Sequence, residues 1–573
     1  MDIIQLTEAN CKNCHKCIRN CLVKSIRFSN EQAKIIEDDC ILCGHCFIAC
    51  PQNAKYIKSD VEEIRGWLSR GEDVYISLAP SFVSAFPDAD FAKMSAALKK
   101  LGFKGVEETA IGAGHVSDEF GKLMEAHEMD NIITTCCPTI VLLVEKHFPE
   151  LVKYLAPVVS PAMAHAKLMK EKYGGGIKVV FAGPCISKKY EAQQNKGIDA
   201  VLMFEELHDL FRDRSIQLDR PDESPSEIAG TVNRLYPIPG GIIDTIPQKR
   251  RENYKCVAID GLDRCIEILQ SLEKNAISGY FFEMNSCAGS CVEGPGLRDF
   301  EAPFLLAKEN VVAQANKETR TPAPATECAV LDFSETYRNK QTIRQIPDEA
   351  TIRSILMQIG KTTPDTMYNC GACGYPTCRE KAIAVYQGKA ELRMCIPYMR
   401  EKAESMSNVI LDNTPNAIFL LDADFNIVEF NAAAVKIFNM TDLNYTGLPA
   451  QMLLGNEAFE AIGEDGQVCD MRTTLMDGAQ TVEQTVIRIS DTGNYLAIAK
   501  DVTSEERQNK KLAKMREETM ETAQRVIDKQ MRVAQEIASL LGETTGETKA
   551  ALTKLKKSMS EGESNESLHR NEL

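Results

Sequence analysis

Two runs of cysteine near the start of the chain share one spacing that could hold metal. The spacing is C-x2-C-x2-C-x3-C, at Cys11, Cys14, Cys17 and Cys21 and again at Cys40, Cys43, Cys46 and Cys50. Gaps of two residues let a loop place three thiolates around a single metal centre. The duplicated spacing therefore predicts two iron–sulfur clusters, which we prefer to the alternative of two zinc knuckles.

The same spacing resembles that of the bacterial two-cluster ferredoxins. In that family the fourth cysteine of each run ligates the other cluster, so the resemblance implies two crossed ligand sets. One set is Cys11, Cys14, Cys17 and Cys50, and the other is Cys40, Cys43, Cys46 and Cys21. We expect residues 1–60 to form a ferredoxin-like module that carries electrons.

The next cysteines lie far apart in the chain, each beside a predicted strand. From about residue 74, short apolar runs alternate with helical stretches, which predicts α/β units with buried parallel strands. Cys136 and Cys137 end one apolar run, Cys185 ends another, and Cys287 and Cys291 lie in a glycine-rich loop. The carboxyl ends of parallel strands border one crevice, so we expect these thiols to meet there.

Three segments around these cysteines carry a second resemblance. They are TTCCP (134–138), GPCISKKYEA (183–192) and FFEMNSCAGSCVEGPG (281–296), and they look like the signature loops of [FeFe]-hydrogenases. The resemblance covers roughly residues 60–300. It implies a two-lobed α/β core holding an H-cluster, and as partners H2, protons, a redox protein such as ferredoxin, and hydrogenase maturation proteins.

The resemblance also implies a role for individual residues. A [4Fe–4S] cluster would be held by Cys137, Cys185, Cys287 and Cys291. Cys291 would bridge it to a two-iron subsite carrying CO, cyanide and a dithiolate. Lys188 and the Pro80–Ser81 turn would hydrogen-bond the cyanide ligands, because a dense anion needs fixed donors in a dry pocket. The alternative for Lys188 is a solvated surface lysine.

Proton transfer is where the sequence departs from this family. Cys136 occupies the position of the proton-shuttling thiol, with an inert buried thiol as the alternative. Glu119 matches the first relay glutamate, but Lys122 falls where the second is expected and Ala156 where a relay serine is expected. A methyl group cannot pass a proton, so we expect slow turnover.

A third cysteine motif follows a linker-like stretch at 315–327. Its spacing is C-x2-C-x4-C-x16-C, at Cys370, Cys373, Cys378 and Cys395. It resembles the small [4Fe–4S] domain of corrinoid iron–sulfur proteins and of some membrane electron-transfer subunits. A structural zinc site is the alternative.

The last third of the chain contains no further cluster motif. An opening helix, two strands across a DADFN turn, a helix led by Asn431 and a final strand running into DVTSEE resemble a PAS domain. From about residue 505 to 541, apolar residues recur every seven positions, which is typical of a coiled-coil seam; a helix packed on its own PAS domain is the alternative. We expect a homodimer through these elements, and disorder beyond Gly542.

The totals limit the remaining classes of function. A net charge of −16 without any Lys/Arg-dense run argues against a nucleic-acid partner. No stretch approaches the roughly 18 apolar residues of a membrane helix, and no signal peptide is visible, so we expect a cytoplasmic protein without a membrane partner. The 21 cysteines then indicate metal ligands rather than disulfides.

We therefore predict a multidomain protein of mixed α/β and α+β class. The five regions are a 2×[4Fe–4S] ferredoxin-like domain at 1–60, a hydrogenase-type H-cluster domain at 61–345, a small [4Fe–4S] domain at 346–402, a PAS domain at 403–504, and a helical segment with a disordered tail at 505–573. The leading hypothesis is a slow hydrogenase-type H2 sensor that signals through its PAS domain to a separate kinase or phosphatase. The alternatives are an ordinary ferredoxin-linked hydrogenase and a non-catalytic iron–sulfur protein that lacks the two-iron subsite.

Overall fold

The chain is seen in a computed structural model that divides it into two units, residues 1–399 and 400–573. The residues that it describes are 3–194, 197–219, 231–300, 303–316, 331–440, 444–462, 467–475, 478–489, 493–541 and 545–561. Most of the linker-like stretch at 315–327 lies outside the described residues.

The two cysteine runs lie in a small module of paired strands and short helices. Strand β1 (Ile4–Leu6) pairs antiparallel with β4 (Lys55–Ile57), and β2 (Ile26–Ser29) pairs with β3 (Gln32–Ile35). The helices are α1 (Lys16–Asn20) and α2 (His45–Ile48), which contain the third cysteine of each run. His15 and Gly44, just before these helices, have positive φ angles of 55° and 79°. The backbone of each loop therefore turns sharply before its helix begins.

Two parallel sheets form the middle of the first unit, as the alternation of apolar runs predicts. The sheet of four strands has the order β6-β5-β8-β9, and the sheet of three has the order β10-β11-β7. Their bounds are β5 Val74–Leu78, β6 Gly105–Glu108, β7 Asn131–Ile133, β8 Lys178–Gly183, β9 Ala200–Met203, β10 Lys255–Asp260 and β11 Tyr280–Asn285. Strand β5, central and fully buried, consists of apolar residues apart from Ser77.

Helices connect these strands and cover the sheets. They are α3 Val61–Ser69, α4 Phe82–Ala85, α5 Phe91–Leu101, α6 Ala110–Ala126, α7 Pro138–His147, α8 Pro161–Tyr173, α9 Ser187–Gln194, α10 Phe204–Asp213, α11 Gly241–Thr245, α12 Leu262–Glu273 and α13 Phe304–Asn316. Both α7 and α8 begin with proline, whose fixed φ and missing N–H suit the first turn of a helix.

The third cysteine segment has a small core and packs against the N-terminal module. Its helices are α14 (Glu349–Met357) and α15 (Cys378–Tyr386). The backbone N–H of Phe28 donates to the carbonyl of Lys389 at 2.9 Å, and the Arg19 guanidinium donates to the carbonyl of Ala372 at 3.1 Å. Residues far apart in sequence are thus joined by specific polar contacts.

Asp39 provides a further ionic contact of that junction, one residue before Cys40. Its nearly buried carboxylate accepts from Arg344 at 3.0 Å and from Lys389 at 2.7 Å. Burial raises the pKa of Asp39, but the hydrogen bonds and charges of the two cations outweigh it and hold the pKa below its ordinary value.

Replacing Asp39 by asparagine should therefore loosen the third cysteine segment. We expect a loss of about 1.5–3 kcal/mol in the free energy of unfolding of this region, the usual worth of hydrogen bonds to charged groups. Hydrogen exchange of residues 346–395 would measure it. Because the folded pKa is depressed, the contribution of Asp39 is present above pH ~4 and is lost as pH falls through the lowered value. Unchanged exchange in D39N at pH 7 would contradict the assignment.

The second unit is built on one antiparallel sheet with the order β13-β12-β16-β15-β14. Its strands are β12 Ala417–Leu421, β13 Ile427–Phe430, β14 Gln467–Leu475, β15 Gln480–Arg488 and β16 Tyr495–Asp501. Its helices are α16 Ile396–Asn413, which begins in the first unit, α17 Ala432–Ile437, α18 Gln451–Leu454, α19 Glu457–Glu460, α20 Thr503–Leu541 and α21 Thr545–Glu561. The expectation of disorder beyond Gly542 is wrong for α21, whose lysines, alanines and leucines favour a helix; residues 562–573 lie outside the described residues.

Asn431 explains how the first two strands of this sheet continue into α17. Its side-chain oxygen accepts from the N–H of Ala434 at 3.0 Å, which caps the helix. Its amide donates to the carbonyls of Leu411 at 2.9 Å and Asn416 at 3.0 Å. The sequence predicted this helix start. In the part of the chain that the structure covers, no helix combines the length and the apolar character needed to cross a bilayer.

Candidate metal centre

Four parallel strands from both sheets end at one cavity. Strand β5 leads into Pro80 and Ser81, and β8 leads into Cys185. Strand β7 leads into Cys136 and Cys137, and β11 leads into Cys287 and then Cys291. All of these residues line the same cavity. The crevice expected at the carboxyl ends of the strands is therefore present, and it holds five thiols that are up to 155 positions apart in sequence.

The thiols of the cavity lie in a dry, apolar environment. Burial raises the pKa of Cys136, Cys287 and Cys291 above the ordinary value, and the neighbouring thiols of Cys137 and Cys185 add to the shift at Cys287 and Cys291. Metal binding replaces the protons of thiols, and four thiols on one cavity match the ligand number of an iron–sulfur cluster. The donor set therefore fits an iron–sulfur cluster.

Lys188 brings one positive charge to the cavity wall. Its ammonium is nearly buried and donates to Glu191 at 2.6 Å and to Ser160 at 2.7 Å. Burial lowers the pKa of Lys188, but the ion pair with Glu191 outweighs it and the net shift is upward. Lys188 is not the solvated lysine of the alternative. An ammonium has three donors, and its two partners leave one N–H for a ligand in the cavity.

Two hydroxyls of the cavity wall have no hydrogen-bond partner within the described part of the chain. The Oγ atoms of Ser81 and Ser290 are buried and make no hydrogen bond among the described residues. A buried hydroxyl without a partner costs free energy, so such a group in a cavity indicates a ligand that accepts from it. The Pro80–Ser81 turn thus fits the cyanide-binding position that the hydrogenase resemblance implies, and Ser290 is a further donor that the sequence did not suggest.

Glu119 does not belong to the cavity. It lies on the outer face of α6, where its one-third exposed carboxylate accepts from Lys122 at 2.7 Å. The buried face of this helix instead carries Ser117, Phe120 and Met124. The hydrogenase resemblance placed Glu119 at a relay position, but each residue of a helix turns the side chain by about 100°, and this position faces outward. The predicted relay through Glu119 is not assembled, and Ala156 is fully buried as an apolar residue.

The N-terminal cysteines form two groups with the crossed composition. Cys11, Cys14, Cys17 and Cys50 line one small cavity. The other four interact as a group: burial raises the pKa of Cys46 strongly, and Cys43, Cys40 and Cys21 raise it further. Each group thus combines the first three cysteines of one run with the fourth cysteine of the other run.

The third motif also surrounds a cavity, which Cys370, Cys373, Cys378 and Cys395 line. Lys381 lines the same cavity, and burial lowers its pKa to about 8. A cation beside four thiolates would partly compensate their charge. The sequence did not point to Lys381, since a lysine on a helix is usually solvated.

Glycines bring the thiol groups of the first unit close to one another. Gly44, between Cys43 and Cys46, is so close to the hydrogenase-like loops that a Cβ there would lie 2.7 Å from Pro295 and 3.0 Å from Ile186. A Cβ at Gly374, which follows Cys373, would likewise lie 2.7 Å from the side chain of Ile18, which follows Cys17. The metal-binding loops therefore abut in series, from the central cavity to the third motif.

Three family models match parts of the chain. Residues 72–295 match the model for the iron only hydrogenase large subunit, C-terminal domain. Residues 33–56 match the 4Fe-4S binding domain, and residues 367–397 match a model described as an Fe-S cluster. These matches support [4Fe–4S] clusters and a hydrogenase-type domain in the chain.

Individual proteins resemble parts of this chain at 15% to 27% sequence identity. Iron hydrogenase 1 of Clostridium pasteurianum is 24% identical over 374 residues, 51% of this chain and 64% of the relative. The NADP-reducing hydrogenase subunit HndD of Solidesulfovibrio fructosivorans is 27% identical over 242 residues, 36% of this chain and 41% of the relative. The chain thus spans less than two thirds of either protein. An [FeFe]-hydrogenase structure from Chlamydomonas reinhardtii has 15% identity and a TM-score of 0.39, covering 50% of this chain and 100% of that one.

Proposed function

We propose that this chain binds an H-cluster in its central cavity and reversibly converts H2 into protons and electrons. The observation that carries the proposal is the convergence of Cys136, Cys137, Cys185, Cys287 and Cys291 on one cavity. The match of residues 72–295 to the iron only hydrogenase large-subunit model supports it. When bound, the cluster supplies the chemistry of H2 splitting.

The residues of the cavity would bind and orient that group. Cys137, Cys185, Cys287 and Cys291 would ligate the cubane, with Cys291 shared by the two-iron subsite. Lys188 and Ser81 would donate hydrogen bonds to cyanide. The thiol of Cys136, whose pKa burial raises, is protonated at neutral pH and can hold a proton beside the cluster.

The surroundings of the cavity support a slow enzyme. Glu119 is paired with Lys122 on the outer face of its helix, and Ala156 offers only a buried methyl group. The side chain of Thr139 donates to Ser187 at 3.0 Å, at a position where the family places a glycine. A polar group beside a metal centre changes its solvation, and a missing relay limits proton delivery.

Electrons would leave the cavity through the series of abutting loops. The Gly44 loop lies against the central cavity, and the Gly374 loop lies against the N-terminal module. Helix α7 reinforces the first contact, because it begins after Cys137 and its Lys146 donates to the carbonyl of Cys40 at 2.7 Å. The third cluster would thus be the far end of the route, with ferredoxin as an external redox partner.

The signalling role rests on the elements that come after the third cluster in the chain. Helix α16 begins directly after Cys395, and the antiparallel sheet that we propose to be a PAS domain comes next. Helix α20 then runs for 39 residues, and its exposed Leu512, Val526 and Val533 lie at multiples of seven positions from one another. We propose that this stripe pairs with a second copy of the chain and that cluster reduction regulates a separate kinase or phosphatase.

Infrared spectroscopy of the matured protein tests the proposal most directly. Bands of CO and cyanide that shift between argon and H2 are the expected result. Their absence would leave only a non-catalytic iron–sulfur protein. With the bands present, turnover with reduced ferredoxin at ordinary hydrogenase rates would favour the electron-transferring enzyme over the sensor. Identical hydrogen exchange of residues 400–561 under the two gases would argue against signalling.

A further inference from the structure

A chain of buried polar side chains leads away from the central cavity. Thr109 lines the cavity at the start of α6, and its Oγ1 lies 2.7 Å from the Oγ of Ser77. Ser77 Oγ in turn lies 2.8 Å from Nδ1 of His165 on α8. Thr109 is 5% exposed, and Ser77 and His165 are fully buried. The chain therefore begins at the proposed site and passes through the core.

The outer half of the chain reaches solvent. His165 Nε2 lies 3.1 Å from a carboxylate oxygen of Glu107. The other oxygen of Glu107 accepts from the Tyr173 hydroxyl at 2.5 Å and from the Lys172 ammonium at 3.2 Å. Tyr173 is 37% exposed and the Lys172 side chain 39% exposed. Every link from Thr109 to the surface is thus a hydrogen bond of at most 3.2 Å.

The hydrogen bonds of this chain have one direction when His165 is neutral. The Glu107 carboxylate accepts from Tyr173 and Lys172, and its hydrogen bonds hold its pKa below the ordinary value despite burial, so it is an ionised acceptor. His165 Nε2 must then donate, and Nδ1 of a neutral ring must accept from Ser77. Ser77 can consequently accept only from Thr109. From Thr109 to Glu107 every donor points outward, whereas Tyr173 and Lys172 donate to Glu107 from the surface, and the Thr109 oxygen remains an acceptor for the cavity.

The fold places these four side chains together through adjacent elements. Ser77 and Glu107 are paired residues on the neighbouring strands β5 and β6. His165 comes from α8, which packs very closely on α6 at Gly112. A Cβ at Gly112 would lie 2.3 Å from the carbonyl of Pro161 and 2.6 Å from the backbone nitrogen of His165. The glycine thus lets α8 approach closely enough for the imidazole to bridge the two strands.

We propose that a proton conduit begins at the cavity and consists of Thr109, Ser77, His165 and Glu107. This proposal rests on the H2 chemistry proposed above. A proton from the cavity binds Thr109 Oγ1, the Thr109 proton moves to Ser77, and the Ser77 proton moves to Nδ1. The Nε2 proton then moves to Glu107, which releases it to water at Tyr173 and Lys172. One proton enters and one leaves, and no electron moves. A proton moving inward along the same groups, from Glu107 to Nε2 and from Nδ1 back toward the cavity, restores the starting tautomer and the hydroxyl orientations.

A second set of hydroxyls at the cavity is a poorer route. Tyr236 lines the cavity and lies 2.7 Å from Ser117, which lies 2.5 Å from Thr245. The Thr245 hydroxyl, however, donates to the carbonyl of Ile242 at 2.6 Å. A backbone carbonyl cannot take up a proton and pass it on, so this chain ends inside the protein.

The arrangement can be tested before any two-iron subsite is present. Protein with 15N-labelled histidine should show a proton on Nε2 of His165 and none on Nδ1, with the signal assigned by its loss in H165Q. A proton on Nδ1, in a neutral or a charged ring, would reverse the bond to Ser77 and overturn the proposed direction of the conduit.

The conduit itself is tested in matured protein by time-resolved infrared spectroscopy after a pH jump. Thr109→Val keeps the shape of the side chain and removes its hydroxyl. We expect the infrared bands of CO and cyanide to keep their positions. Protonation of the centre should slow about 100-fold, which is within the usual effect of removing a proton-transfer group. Thr109→Ser should restore the rate. An unchanged rate in T109V, or the loss appearing in Tyr236→Phe instead, would overturn the conduit. Missing CO and cyanide bands in the unsubstituted protein would overturn the proposed function itself.

Discussion

Replacing Cys185 by alanine is expected to abolish the infrared bands of CO and cyanide in matured protein. Cys185 follows β8 and lines the central cavity together with the other proposed ligands of the cubane. A cubane without one of its four thiolate ligands would not stay bound in the cavity. The two-iron subsite, which would be attached to it through Cys291, would then be lost as well. Iron content should fall by one cubane and its attached subsite, while the N-terminal and third clusters persist.

Cys256→Ala is the matched control for this experiment. Cys256 lies on β10 of the same unit, is partly buried, and does not line any of the cavities that hold cysteine groups in the described residues. We expect its substitution to leave iron content and infrared bands unchanged. Full bands in C185A would show that the central cavity is not the site of the cluster.

The grouping of the cysteines could be predicted from the sequence because a cluster motif is local. Two-residue gaps constrain the loop itself, so Cys40, Cys43 and Cys46 can be assigned together without knowing the rest of the fold. The strand ends at Cys137 and Cys185 were also predictable, since buried parallel strands read as continuous apolar runs. The parallel sheets confirm that interpretation.

Groups that depend on the phase of a helix or on tertiary contact were not predictable. Glu119 was assigned by resemblance, and its side chain lies on the outer face of α6, one residue before the buried Phe120. The pairing of Ser77 with Glu107 depends on strand register, and the position of His165 depends on how closely α8 packs at Gly112. Neither the register nor the packing leaves a spacing motif in the sequence.

Replacing Cys136 by alanine should have the second large effect. Cys136 lines the cavity, and because burial raises its pKa its thiol carries a proton at neutral pH. We expect C136A to keep its CO and cyanide bands while H2 oxidation with methyl viologen slows by about 100-fold to 10,000-fold, the range for a lost proton-transfer group. Cys136→Ser, which keeps an exchangeable proton, should recover part of the rate. An unchanged rate in C136A would mean that protons bypass this thiol.

Combining Cys136→Ala with Thr109→Val shows whether the two residues act on one proton route. Residues in series on one path are strongly non-additive, so the double variant should be no slower than the slower single variant. If the two losses multiplied instead, Cys136 and Thr109 would serve separate routes. Since both residues line the same cavity but only Thr109 connects to His165 through hydrogen bonds, we expect the thiol to pass its proton to the threonine hydroxyl.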